Sequence, residues 1–237
     1  MPPSRTLGAF DAPAALPLVE YDAVSEYVSR RASGNEDVWH GFASAWNGVA
    51  YRLRAAHEHA DGFRVSISAS SAPEPNKRYR QDHNLFGFVV SALSTLECFF
   101  FASYCIGSLL DASRFPLSQA KDLRFYPEDV SEQFWKAFPN DVLSSVMEVC
   151  LSSREYEQLR DLRNVLAHRG TPPRKHFLGT RNTDTPSAIP ANLIDLASRW
   201  RYDFSLDPRC LDPYLAFLNK TLSQLVVEAS RFVNARR

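Results

Sequence analysis

Apolar residues recur every three to four positions over most of the chain, which is the period of a helix with one buried face. The pattern predicts long helices from about 36 to about 60, over about 78–111 and over about 211–233. Shorter helices are expected over Val19–Ala32, from Pro127, after Asn140 or Asp141 and over Arg154–Arg169. Two stretches instead alternate apolar and polar residues, so each is expected to be a short strand: Phe63–Ile67 and Trp200–Leu206.

The longest apolar run, Leu85–Leu110, is long enough to span a membrane. Glu97 lies at its centre, however, and an ionised group there costs roughly 3 kcal/mol on insertion scales. We therefore expect the central helix of a soluble bundle and no membrane association, although the membrane interpretation stays open. In a bundle, Glu97 is expected to be buried against an Arg or another polar partner.

A Ser- and Pro-rich stretch, SASSAPEPN at 68–76, is the best internal boundary. It divides the chain into a flexible arm over 1–18, an N-terminal helical segment over 19–72 and a helical bundle over 73–237. The fold class is all-α, with a long central helix, an extra N-terminal helical hairpin and at most one or two short strands.

Composition narrows the setting without giving a function. The 27 basic and 27 acidic residues balance, and only five of the basic residues are Lys. This Arg bias suits phosphate contacts, but Arg-rich genomes produce the same bias. The four cysteines form no CxxC pair, so we expect buried free thiols. The N-terminus lacks a basic region followed by an apolar run, so we expect a cytoplasmic protein.

The common catalytic and metal-binding motifs are missing. The sequence has no P-loop, no GxGxxG, no HExxH and no GxSxG. His57 and His59 are two residues apart, which places their rings on different sides of a helix, so we expect no metal there.

One segment carries candidate chemistry: RDLRNVLAHRG at 160–170. It resembles the motif of the HEPN (higher eukaryotes and prokaryotes nucleotide-binding) domains, in which an Arg followed by a polar residue precedes a His on one helix. Arg163, Asn164 and His168 supply these residues here, with four residues between the Arg and the His. Three other pairs share that spacing but lack the context, so we predict that they are functionally silent: Arg52–His57, Arg54–His59 and Arg78–His83.

The resemblance implies a HEPN-like helical bundle and a metal-independent endoribonuclease of the toxin or defence type, with no cofactor. His168 would then act as general acid or base, Arg163 would stabilise charge on phosphorus, and Asn164 would orient the phosphate or His168. Glu97 would support the site from the long helix. Other cations would hold the RNA backbone: Arg160, Arg169, Arg174 and Lys175.

A helical projection of 154–169 separates a core side from a candidate site. The core stripe consists of Leu159, Leu162 and Leu166. Arg163 lies at its flank, whereas Asn164 and His168 share a face that points away from it. A site on that face needs a second surface, so we expect a homodimer with this helix near the two-fold axis.

Two other interpretations stay open. A non-catalytic HEPN-like module would dimerise, or would bind nucleic acid, an antitoxin or an effector partner, without cleaving RNA. Alternatively, His168 and Arg169 are only favourable cations at the negative end of a helix, with Gly170 as an ordinary C-cap.

Overall fold

The computed structural model describes residues 6–7, 10–68, 75–117, 125–168 and 208–236. In these residues the chain is all-α, as predicted, apart from a pair of two-residue antiparallel strands. The strands are β1 (Thr6–Leu7) and β2 (Phe10–Asp11). The helices are α1 (Leu18–Arg31), α2 (Glu36–Ser68), α3 (Pro75–Leu110), α4 (Pro127–Ala137), α5 (Val142–Leu151), α6 (Arg154–His168) and α7 (Asp212–Asn234).

The two longest helices, α2 and α3, pack antiparallel along most of their length. Small residues at intervals of seven or fourteen positions on α2 fix the register, because each leaves room for a side chain of α3. The opposed pairs are Gly41 with Cys105, Gly48 with Cys98 and Gly62 with Asn84. A Cβ atom at Gly48 would lie 2.8 Å from Sγ of Cys98, so the helix axes could not approach this closely with a larger residue.

An aromatic cluster fills the core where α1 meets this helical pair. The ring of Trp46 stacks on Tyr21 at a centroid distance of 4.7 Å and on Phe42 at 5.5 Å. The Trp46 indole donates to the Tyr21 carbonyl, and the Tyr21 hydroxyl donates to the Trp46 carbonyl at 2.6 Å. Because both polar ends are satisfied, these rings can be fully buried without an unpaired donor.

The remaining helices close the bundle around α3 and α7. Helices α4 and α6 pack on α3, whereas α1 and α5 pack on α7. The ion pair of Arg64 and Asp212, at 2.9 Å, joins the end of α2 to the start of α7. The α3–α6 contact is the one that positions the candidate site, since it brings Glu97 and the motif helix together.

Helix ends follow the local signals in the sequence. The Asn35 side chain accepts a hydrogen bond from the Val38 amide at 3.3 Å, as expected of an N-cap. Gly34, just before it, has a φ of 88° and lies between α1 and α2. Asp141 caps α5 by accepting from the Leu143 amide at 3.0 Å. All four cysteines are free thiols, as predicted, but only Cys105 and Cys150 are buried, whereas Cys98 and Cys210 are half-buried.

The two predicted strands and the predicted domain boundary have different outcomes. The strand expected over Phe63–Ile67 is wrong, because α2 continues through it to Ser68 and buries Phe63 against the core. The alternation of apolar residues there is too short to distinguish a strand from the end of a helix. The second expected strand, Trp200–Leu206, lies outside the described residues. The boundary at 72/73 stays a prediction, although core residues from both sides form one cluster.

Helix α3 is the one described helix that is long and apolar enough to cross a membrane. In its most apolar window, 61% is already buried against other parts of the chain. That burial is what the core helix of a bundle requires, because an all-round apolar surface must be covered by its neighbours.

Candidate functional site

Helix α6 lies on α3 with the face that the helical projection predicted. Leu159 and Leu162 are buried, and Leu166 is half-buried against the core. Ser153 starts the helix by accepting from the Tyr156 amide at 3.3 Å, and Glu155 occupies the favourable first turn. This packing fixes which residues of α6 face solvent.

Arg163 and Glu97 meet at the α3–α6 contact. Nη2 of Arg163 lies 3.9 Å from Oε1 of Glu97, and the two side chains are 38% and 41% exposed. The Nε atom of Arg163 is buried and has no hydrogen-bond partner among the described residues. The guanidinium is thus held at the surface by a carboxylate at the limit of ion-pair distance, with one donor unused.

The expectation that Glu97 is buried is wrong, whereas the expected Arg partner is present. Leu96 and Phe100 occupy the core face of α3, so the intervening position 97 turns towards α6 and solvent. Helix α6 covers this part of α3 incompletely. A half-exposed carboxylate avoids the desolvation cost that a fully buried one would pay.

The outward face of α6 is small and polar at the motif. Asn164, next to Arg163, and Ala167 are both exposed. His168 is the last residue of α6, one turn after Asn164, and its side chain lies outside the described residues. Three of the predicted RNA-binding cations also lie outside the described residues: Arg169, Arg174 and Lys175.

The fourth predicted cation, Arg160, belongs to a second polar cluster, which lies between α6 and α4. Its Nη1 atom donates to Oε1 of Glu128 at 3.0 Å, and the Tyr156 hydroxyl donates to the same oxygen at 3.4 Å. Burial raises the pKa of Tyr156 far above its ordinary value, and the Glu128 charge raises it further, so the hydroxyl stays a donor. Arg160 is therefore oriented in advance, but a phosphate would have to share it with Glu128.

A further cation, Arg52 on α2, lies close to Cys98, the neighbour of Glu97. The sequence singled it out only in the Arg52–His57 pair, which is expected to be silent. Its charge partly offsets the burial that raises the pKa of the Cys98 thiol, whereas Glu97 adds to the rise. Arg52 follows Gly48 by one helical turn, and Gly48 contacts Cys98. The seven-residue spacing of small residues was the signal that could have placed this turn of α2 against Cys98.

The arrangement offers charge stabilisation and hydrogen bonding at the α3–α6 surface. It brings Arg163 and Glu97 together, keeps Asn164 exposed beside them, and holds Arg160 one turn earlier on α6. In the part of the chain that the structure describes, no three His, Cys, Asp or Glu side chains are grouped closely enough to hold a metal ion.

A groove of about 360 Å³ lies elsewhere, between α5 and α7, and none of the predicted site residues lines it. Its walls mix apolar side chains such as Val146 and Phe217 with polar ones such as Glu155 and Lys220. Because the predicted residues lie at the α3–α6 surface, that surface remains the candidate site.

No protein-family profile, no curated protein and no solved structure matches this chain.

Proposed function

We propose that this protein is a metal-independent endoribonuclease of HEPN type, acting as a toxin or defence effector in the cytoplasm. The observation that carries the proposal is the geometry of Arg163. Its side chain is 38% exposed, lies 3.9 Å from Glu97 and is next to the exposed Asn164. The guanidinium could donate hydrogen bonds to a phosphate oxygen at this surface.

The reaction uses the nucleophile that RNA itself carries. The 2′-hydroxyl oxygen attacks the adjacent phosphorus and loses its proton, while the bond from phosphorus to the 5′ oxygen breaks and that oxygen gains a proton. His168 would accept the first proton or deliver the second. Arg163 would stabilise the charge that develops on the non-bridging oxygens, and Asn164 would orient the phosphate.

Glu97 would act in this scheme as a positioning residue. Its carboxylate lies 3.9 Å from the guanidinium of Arg163, at the limit of ion-pair distance. An incoming phosphate would compete for the same cation and could displace this loose pairing. By keeping the guanidinium near the site before RNA binds, Glu97 would lower the ordering cost of the transition state.

The site would be completed by a second copy of the chain. Asn164 and Ala167 are exposed, so a symmetry-related α6 could approach this face closely. A homodimer would place two motifs side by side, in the way that the resemblance implies. RNA is the proposed substrate, and an antitoxin or effector partner would act by covering this face.

The test is cleavage of single-stranded RNA by the purified chain in excess EDTA. His168→Ala and Arg163→Ala should each lower the rate by about 10²-fold or more, since general acid–base help and a preorganised charge contact each contribute at least that much. His40→Ala is the control for the histidine, because His40 is exposed on α2. Arg30→Ala is the control for the ion pair, because Arg30 forms a surface pair with Glu26 at 3.1 Å.

Both controls should cleave RNA at the wild-type rate. Loss of cleavage in His57→Ala with full activity in His168→Ala would show that the wrong pair had been chosen. A wild-type chain that dimerises and binds RNA but leaves several RNAs intact would overturn the catalytic proposal in favour of a non-catalytic HEPN-like module.

A further inference from the structure

The first turns of α3 carry a ladder of stacked rings that opens to solvent. The ring of Tyr79 stacks on His83 with centroids 5.9 Å apart and an interplanar angle of 18°. His83 in turn meets His59 of α2 edge-on, at 5.6 Å. Tyr79 is 68% exposed, so the outer end of the ladder is an uncovered aromatic side chain.

The inner end of the ladder is anchored. Nδ1 of His59 lies 3.3 Å from Oδ1 of Asn84. The His59 ring occupies the place where a side chain at Gly87 would begin, because a Cβ atom there would lie 2.5 Å from its Nε2 atom. The rings are therefore ordered before any ligand arrives, which lowers the entropic cost of binding.

Cations and a further aromatic residue extend this surface. Phe86 is 42% exposed and follows Tyr79 by seven positions, two helical turns, so it lies on the same side of α3. Arg78 and Arg80 flank Tyr79 and are both exposed. Nε of Arg78 forms a loose ion pair with Oδ2 of Asp82 at 3.8 Å. Arg80 has no ion pair within the described part of the chain. We call Tyr79, His83 and Phe86, with Arg78 and Arg80, the aromatic–basic stripe.

We propose that the aromatic–basic stripe binds single-stranded RNA, with a base stacked on Tyr79 and phosphates held by Arg80 and Arg78. An exposed aromatic side chain accepts any base, and the flanking guanidiniums match the negative charge that the backbone repeats at each nucleotide. A purely apolar partner would leave the exposed guanidinium of Arg80 without a counter-charge among the described residues, whereas Arg78 already has Asp82 at 3.8 Å. The charge pattern therefore favours nucleic acid over a helix or a second copy of this chain.

This surface is separate from the proposed active site. Tyr79 precedes Glu97 by 18 positions on one helix, which corresponds to about 27 Å along its axis. The stripe requires RNA binding and does not require cleavage. It also gives a binding role to the surroundings of the Arg78–His83 pair, which the sequence pattern predicted to be silent.

The test measures binding of a fluorescein-labelled 2′-O-methyl oligouridine to the full chain by fluorescence anisotropy, in EDTA and moderate salt. The 2′-O-methyl groups block cleavage, so the measurement is independent of nuclease activity. Tyr79→Ala should weaken binding by roughly five- to a hundredfold, the range expected for loss of one stacked base, whereas Tyr79→Phe should retain most of it. Arg80→Gln should lower the dependence of log Kd on log salt by about one.

Tyr126→Ala is the matched control. Tyr126 is 58% exposed, like Tyr79, but acidic residues follow it closely: Glu128 and Asp129. It should bind the probe as the wild type does. Equal binding by Tyr79→Ala and wild type, or no binding by the wild type, would overturn the stripe. If binding depends on Tyr79 but the chain cleaves no RNA, the proposal for the aromatic–basic stripe holds and only the nuclease proposal is overturned.

Discussion

The α2–α3 hairpin and the outer face of α6 differ in how closely their side chains are packed. The hairpin is packed so closely that glycines must face cysteine and amide side chains, and a Cβ atom at Gly48 would lie 2.8 Å from Cys98 Sγ. At the α6 face, Arg163 and Glu97 are more than a third exposed and 3.9 Å apart. The hairpin specifies the fold, whereas the α6 face leaves polar groups available to a ligand or a partner.

Substitutions in these two regions should therefore affect different properties. Changes in the hairpin should alter the free energy of unfolding, because close-packed interiors respond to a single methyl group. Changes on the α6 face should alter RNA cleavage or assembly and leave folding nearly intact. A hairpin variant that altered only cleavage or assembly, or an α6 variant that altered mainly the free energy of unfolding, would contradict this division.

The largest loss of stability is expected for Trp46→Ala. Trp46 is buried, stacks on two rings and donates to a backbone carbonyl, so its truncation should lower the free energy of unfolding by about 3–5 kcal/mol. Urea denaturation of the variant measures this directly. Trp135→Ala is the control, since Trp135 is 45% exposed and should cost well under 1 kcal/mol. Similar costs for both would contradict the assigned core.

A smaller effect should reveal the α2–α3 register. Gly48→Ala places a methyl group against Cys98 Sγ and should cost about 1–3 kcal/mol of unfolding free energy. Cys98→Ala removes that sulfur and leaves only an ordinary contact of 3.5 Å between the two Cβ atoms. The double variant should therefore regain most of the loss in a double-mutant cycle. Additive costs would place Gly48 elsewhere in the interface.

Assembly should depend on the α6 face and not on the hairpin. Ala167→Glu adds a charge at an exposed small residue of α6, where a second copy is proposed to pack. We expect the dimer dissociation constant to rise at least tenfold, about 1.4 kcal/mol, in multi-angle light scattering at micromolar concentration. Ala167→Ser should leave the mass unchanged. A wild-type chain that is monomeric at this concentration would contradict the proposal that a second copy completes the site.

The smallest stability effects are expected at the motif itself. Arg163→Ala and Asn164→Ala should each change the free energy of unfolding by no more than about 0.5 kcal/mol. Arg163 is half-exposed and forms only a surface ion pair, and Asn164 is exposed. Thermal and urea denaturation compared with the wild type measure both. A loss above 2 kcal/mol for Arg163→Ala would make this residue a structural one.

The sequence predicts this fold well wherever the apolar period is long. The bounds of α1, α3 and α7 lie close to those expected, because each helix buries a continuous apolar stripe. The end of α2 was missed, since Phe63–Ile67 alternates over only five residues and burial of Phe63 decides its conformation. Tertiary packing overrode the local pattern there.

The candidate site was predictable only in part. The helical projection anticipated the Leu159–Leu162 core face and the exposed Asn164, because a helix fixes the direction of each side chain. It could not anticipate that Glu97 is half-exposed, since this depends on how far α6 covers α3. The stacking of Tyr79 on His83 was equally hidden, because two aromatic residues four positions apart are too common to signal a site.

The most direct measurement of the central claim compares two substrates of the same sequence in EDTA, one all RNA and one with 2′-deoxy nucleotides throughout. We expect the purified chain to cleave the RNA and to leave the 2′-deoxy strand intact, because the 2′-hydroxyl is the proposed nucleophile and EDTA removes any metal ion that could activate water. We expect His168→Ala to cleave neither strand. Cleavage of both strands, or cleavage that appears only when magnesium is added, would contradict it.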